Sequence, residues 1–161
     1  MISRRKKAAS VVIGFAGLFT AYFVLSEYQK TQMDREVDRL CAVDGGIKVF
    51  ERISLSLDYF NQWGDPNVPF KGNTSAAKSP YFVEIESRDL AKVDSSVFRK
   101  MTLVRFQARA LRQADGKILG EAISYSRRGG DLQGPWHPSS YSGCAESGDK
   151  NLKKAVFVRN G

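Results

Sequence analysis

The chain has 161 residues, 42% of them hydrophobic and 26% charged, a length that suits one domain rather than two and a composition that excludes wholesale disorder. Its net charge of +8 is uneven: Arg4, Arg5, Lys6 and Lys7 supply four positive charges, the stretch 27–40 has three bases and four acids, and eighteen bases against thirteen acids leave the part from Cys41 onward at +5. That part holds no basic run and no aromatic-interleaved platform, so nucleic acid is not an expected partner.

Residues 1–7 form a basic tail. Residues 8–26, AASVVIGFAGLFTAYFVLS, are nineteen residues without a charge. As a helix rising about 1.5 Å per residue, this run matches the roughly 30 Å apolar thickness of a bilayer. A soluble helix in so small a protein is not apolar on every side. The expectation is therefore a single-pass transmembrane helix. The basic tail stays in the cytoplasm and the rest is exported, which places the domain on the periplasmic side of an inner (plasma) membrane. The alternative is a cleaved secretory signal, for which Val24-Leu25-Ser26 is a poor site. Both readings export the domain. A lipoprotein signal does not fit, because Cys41 lies well past the apolar run.

Residues 27–40, EYQKTQMDREVDRL, lack Gly and Pro and are rich in helix formers. They read as a helical stalk, a spacer with a weak apolar stripe at Tyr28, Met33, Val37 and Leu40. The exported domain spans residues 41–161. Cys41 opens it, Cys144 nearly closes it, and the chain has no other cysteine. In an oxidising compartment the two form a disulfide, which the chain-entropy model values at roughly 4–5 kcal/mol for so long a loop. A metal site would need more Cys or His than one histidine offers. No metal and no cofactor is expected.

The domain reads as mainly β or α+β, a small antiparallel sheet. Asp44-Gly45-Gly46 is a turn, and Ile47–Ile53 is β-prone. Residues 58–63 suggest a helical turn, followed by a loop to Pro80. Residues 81–86 alternate, with Tyr81, Val83 and Ile85 on one face and Glu84 and Glu86 on the other. Residues 102–113 and 118–127 flank Asp115-Gly116, a favoured two-residue hairpin turn. That turn pairs Phe106 with Tyr125, Ala108 with Ile123, and Arg109 with Ala122, leaving one face apolar and the other polar. The segment 129–150 is turn-rich, and 155–159 form a last strand.

Three stretches carry a resemblance: Cys41-Ala42-Val43-Asp44-Gly45-Gly46-Ile47-Lys48-Val49-Phe50-Glu51, Asn61-Gln62-Trp63-Gly64, and His137-Pro138-Ser139-Ser140 through Cys144. They resemble a group of small, uncharacterised bacterial envelope proteins. The resemblance covers most of the domain and implies an envelope location but no activity. Some of that group are lipid-anchored near the cysteine, and this chain lacks the lipobox for it.

The chemistry available is narrow. His137 is the only histidine, so any Ser-His-Asp arrangement would have to use it, yet no nucleophile-elbow motif is present. Glu84 and Glu86 read as a solvated face rather than a hydrolytic pair. Arg105 and Arg109, near Arg127 and Arg128, form a basic stripe that is an ordinary exposed face or, in the sharper reading, an anion-binding one. Trp63, Trp136 and Tyr141 are assigned to the core rather than to a carbohydrate-stacking surface. The reading that results is a membrane-anchored, non-enzymatic binding or assembly component whose partners are other envelope proteins. One alternative is an envelope-acting enzyme using His137. Another is an anionic lipid- or glycan-binding module, with Arg105, Arg109, Trp136 and His137 as its candidate contacts.

Overall fold

The computed structural model describes residues 2–93, 100–130, 140–144 and 146–160, with side chains from Gly14 onward except that of Phe15. Helix α1 (Ile2–Asp44) runs unbroken through the apolar run, the expected stalk and Cys41. It ends at the predicted turn: Gly45 N–H donates to the carbonyls of Leu40 and Cys41 at 3.3 and 3.0 Å. Gly46 then takes φ +135°, a conformation that favours glycine.

The sheet is a meander with additions. Strands β3 (Tyr81–Val93), β4 (Met101–Arg112) and β5 (Ile118–Gly129) pair antiparallel in that order. The outer edge of β5 is covered end to end by two short strands. β1 (Gly46–Val49) pairs with residues 120–123 and β6 (Ser140–Ser142) with residues 126–128. Separately, β2 (Ile53–Leu55) pairs in parallel with β7 (Phe157–Arg159), which follows helix α2 (Asp149–Val156) directly. Short 3₁₀ turns lie at Leu57–Tyr59 and Ala76–Lys78. The outer edge of β3 is backbone-paired, among the described residues, only at Val83, with Pro69 and Lys71. Beyond it a register shift between Asp89 and Ala91 and the charges of Glu86, Arg88 and Lys92 blunt the edge against strand addition.

Both faces of the β4–β5 part of the sheet are covered, while β3 is exposed beyond Glu84. On one face Val83, Ala108, Ala110, Leu119 and Ala122 pack with Leu152, Val156 and Phe157 of α2 and β7 and with Leu55 and Val68. On the other face Leu103, Ile123, Tyr125 and Cys144 pack with Val37 of α1, flanked by Met33 and Leu40. Two glycines let the helices approach. A Cβ at Gly120 would lie 2.6 Å from Val156 Cγ2, and one at Gly143 would lie 2.5 Å from Asp38 Oδ1. The last three turns of α1 therefore belong to the domain's core and are more than a spacer.

The antiparallel sheet and the Cys41–Cys144 disulfide are as expected, with the two Cα atoms 5.4 Å apart. The hairpin register is corrected by one residue. Arg105 pairs with Tyr125, Ala108 with Ala122 and Arg109 with Glu121. The loop is four residues, 113–116, closed by Arg112 N–H to the Lys117 carbonyl at 3.0 Å, and a bulge follows at Ala110/Leu111. The inferred register took Asp115-Gly116 as a two-residue loop; the four-residue loop moves the pairing by two residues and the bulge returns one. The strand expected at 81–86 continues to Val93, and the one expected at 47–53 splits into β1 and β2. The one expected at 155–159 begins only at Phe157, because residues 149–156 are helix.

Among the described residues no helix is long and apolar enough to cross a membrane. The expected transmembrane helix is not supported there. The apolar run 8–26 enters the described side chains only at Gly14, so membrane crossing rests on the sequence.

Replacing Cys41 and Cys144 together by serine should lower the unfolding free energy by about 2–5 kcal/mol, as removal of a native disulfide from a small domain does. Urea unfolding of the oxidised full chain and of the double-serine variant measures the difference. Equal midpoints would show that the bond contributes nothing.

Candidate functional site

The basic stripe read from the sequence lies where the long helix meets the sheet. Alternation sends Leu103, Arg105 and Gln107 of β4 to the same face as Ile123, Tyr125 and Arg127 of β5. α1 answers with Asp34, Val37, Asp38, Cys41 and Asp44, spaced three or four residues apart and hence on one side of the helix. The Arg127 side chain is 2% exposed, and its Nε donates to Asp34 Oδ1 at 2.5 Å. Its Nη1 also donates to the Gly129 carbonyl. Arg105 Nε donates to the Tyr125 hydroxyl at 3.3 Å and lies 3.6 Å from Asp44, while its Nη1 donates to Gln107 at 3.0 Å. The Tyr125 hydroxyl donates to Asp44 at 2.6 Å, and that of Tyr141 to Asp38 at 2.9 Å.

These contacts perturb the groups in them. Burial, then the hydrogen bond to Asp44, pushes the Tyr125 hydroxyl above the usual tyrosine value. The hydrogen bond to Asp38 does the same to Tyr141. For Arg105 burial opposes the charge, but Tyr125 and Asp44 outweigh it and the net shift is upward.

Of the four binding residues read from the sequence, Arg105 and Arg109 fall within the described residues, and both already face carboxylates of this chain. Arg105 faces Asp44, and Arg109 lies 3.7 Å from Glu86. The expected anion-binding stripe is thus largely the inner lining of a helix–sheet seam. Arg128 turns to the other face, over the Phe106 ring at 4.9 Å. Trp136 and His137 lie outside the described residues. Glu84 is paired with Lys71 at 2.6 Å, so both strand acids face bases. Trp63, assigned to the core from sequence, is exposed. Asn61 Oδ1 accepts from Trp63 N–H and Asp65 N–H at 3.0 and 2.9 Å, and that turn carries the indole outward. Tyr141 is at the surface as well.

A second site went unread in the sequence. On the α2 side of the sheet, a cleft of about 510 Å³ lies between α2 and the segment 58–79. α2 buries Leu152 and Val156, four residues apart, and presents its lysines outward. Lys150 and Lys154, also four apart, converge on Asp65 at 3.0 and 2.8 Å. Lys153 turns instead into the cleft, with its Nζ 3.8 Å from the centroid of the Phe70 ring. Burial pulls its ammonium below the ordinary lysine value, and Asp149 only partly offsets this. The sequence signal was present in the apolar spacing of 152 and 156 and in an acid at the start and lysines at the end of 149–156.

Among the described residues no group of three or more His, Cys, Asp or Glu side chains is placed to hold a metal ion. No family model, curated protein or solved structure matches the chain.

Two predictions follow from these contacts. Asp34→Ala takes a carboxylate away from a buried guanidinium and should destabilise the fold by up to about 3–5 kcal/mol, whereas Asp34→Leu with Arg127→Met should recover most of that loss. Denaturant unfolding of both variants decides it, and a double variant no better than the single would refute the pairing. The second concerns acid stability. The hydrogen bond from Lys154, then that from Lys150, holds the Asp65 carboxyl below the usual carboxylate range. A lowered folded-state value means stability that is complete above the ordinary aspartate value and lost as pH falls through the lowered one. The melting temperatures of the native chain and Asp65→Asn should therefore differ at neutral pH and converge in acid. A constant gap would show that the lysines do not act through the carboxylate's charge.

Proposed function

We propose that this chain is a membrane-anchored envelope protein that presents a disulfide-stapled domain outside the cytoplasm as a binding or assembly component, not as an enzyme. The observation that carries the reading is the exposure of α1 along its apolar run. Leu18, Phe19, Val24 and Leu25 are each more than half exposed. At about 3.6 residues per turn they point in three well-separated directions around the axis, Leu18 and Leu25 sharing one of them. A protein partner would cover one stripe of such a helix, whereas lipid covers all of it. The basic tail at Arg4–Lys7 orients the helix with its start in the cytoplasm. An exported domain then meets the oxidising conditions under which Cys41 and Cys144 stay paired.

The helix continues without a break from that run into the seam, so a membrane anchor would also fix the domain's orientation. From Ser26 to Asp34, where the first carboxylate meets the sheet, the helix rises only about 12 Å. The domain would stand close to the surface on a stiff support. That suits an assembly component whose partners, other envelope proteins, occupy a defined height. The resemblance to small bacterial envelope proteins points the same way.

The full chain should remain in the membrane pellet after alkaline and high-salt washes, and a chain lacking residues 1–26 should be released. A reporter fused at Gly161 should be active only if it works outside the cytoplasm. Activity of a cytoplasm-only reporter at that position would overturn the topology.

A further inference from the structure

We propose that the cleft between α2 and the segment 58–79 is a binding site for a small ligand bearing one carboxylate or phosphate group on an apolar body. Its volume, about 510 Å³, falls within the range of small-molecule sites. The central group is Lys153. Its two neighbours on α2, Lys150 and Lys154, are paired with Asp65, while Lys153 has no ion pair or side-chain hydrogen bond among the described residues. What it has is the Phe70 ring, an attraction weaker than a charge-assisted hydrogen bond. A half-buried ammonium has given up part of its hydration. An anion entering the cleft restores it with a full counter-charge while the ring stays in place.

The rest of the lining fits an anion on an apolar body. Tyr59, Val68 and Phe70 offer an apolar wall, and Lys78 a second cation. Asn73 also lines the cleft, and its side-chain oxygen accepts from Ser75 N–H at 3.2 Å. Asp58 lines the same space and repels negative charge, so the site favours one compact anionic group over an extended polyanion. This site lies on the opposite face of the sheet from α1, and the proposal does not depend on the anchor.

The test uses the ¹⁵N-labelled full chain in detergent micelles, titrated with benzoate, with phenyl phosphate and with neutral benzyl alcohol. At least one anion should move the amides of Asn67, Val68, Phe70 and Lys153 saturably at millimolar concentration, and benzyl alcohol should not. The stronger of the two anions identifies the head group. Lys153→Gln should weaken binding by about fivefold or more, while Lys153→Arg, which keeps the charge and the fold, should retain it. Lys48→Gln, an exposed lysine on β1, should leave it unchanged. Absence of saturable shifts with both anions overturns the proposal. So does equal binding of benzyl alcohol, or unaltered affinity in Lys153→Gln.

Discussion

A guanidinium as buried as that of Arg127 cannot remain in a protein interior without an anion close by. The anion comes from Asp34, ninety-three residues earlier in the chain and on a different element. The long helix must therefore lie against β5 with Asp34 level with Arg127, and once it does, the neighbouring contacts have little freedom. Asp38 arrives at Tyr141, Asp44 at Tyr125 and Arg105, and Cys41 at Cys144. The apolar part of the same helix face, Val37 with Met33 and Leu40, closes the core between them. A buried ion pair by itself gives little net stability over an apolar pair of similar size. Its consequence here is a preferred alignment of helix on sheet, since a slip of one helical turn would part Asp34 from Arg127.

The disulfide acts on the same alignment by a different route. It joins the last turn of α1 to the segment just past β6, the short strand paired with β5, and the chain-entropy account credits it for limiting the unfolded chain. The ion pair chooses the docking, and the covalent bond makes leaving it costly. The Tyr125 N–H donates to Cys144 Sγ at 3.2 Å, so the bonded sulfur also sits within the sheet's hydrogen-bonding scheme.

Much of this was legible from residue types, and the exceptions have physical causes. The two cysteines at the domain's ends, the Gly-Gly helix stop and the strands around Asp115-Gly116 follow from local chemistry. The register did not, because the loop at Asp115-Gly116 has four residues and a bulge follows it, and with Ala108, Ala122 and Leu119 facing α2 and Leu103, Ile123 and Tyr125 facing α1 the burial pattern could not reveal the slip. A strand buried on both faces carries no alternation to fix its pairing. Arg105, Arg109 and Arg127 share one face of the hairpin while Arg128 does not, and the acids that meet Arg105 and Arg127 lay in or beside a segment read as a spacer. Asp34, Asp38 and Asp44 look like solvated helix charges until the helix is known to dock. α2 was missed because eight residues with three lysines resemble a loop, and its apolar signal is only the pair Leu152 and Val156.

The two covered faces also differ in how completely their charges are paired within the chain. The face under α1 is committed to holding the domain on its helix, through charges and hydroxyls that already have partners in the chain. The face under α2 ends in a cleft where one lysine of three has no ion pair among the described residues and an aromatic ring remains partly open. A molecule bound there would press on α2 and on the β2–β7 pair, which are joined to the sheet by apolar packing around Leu152, Val156 and Phe157. It would not disturb the seam on the far side. The residues that line the cleft are therefore not those that hold the helix.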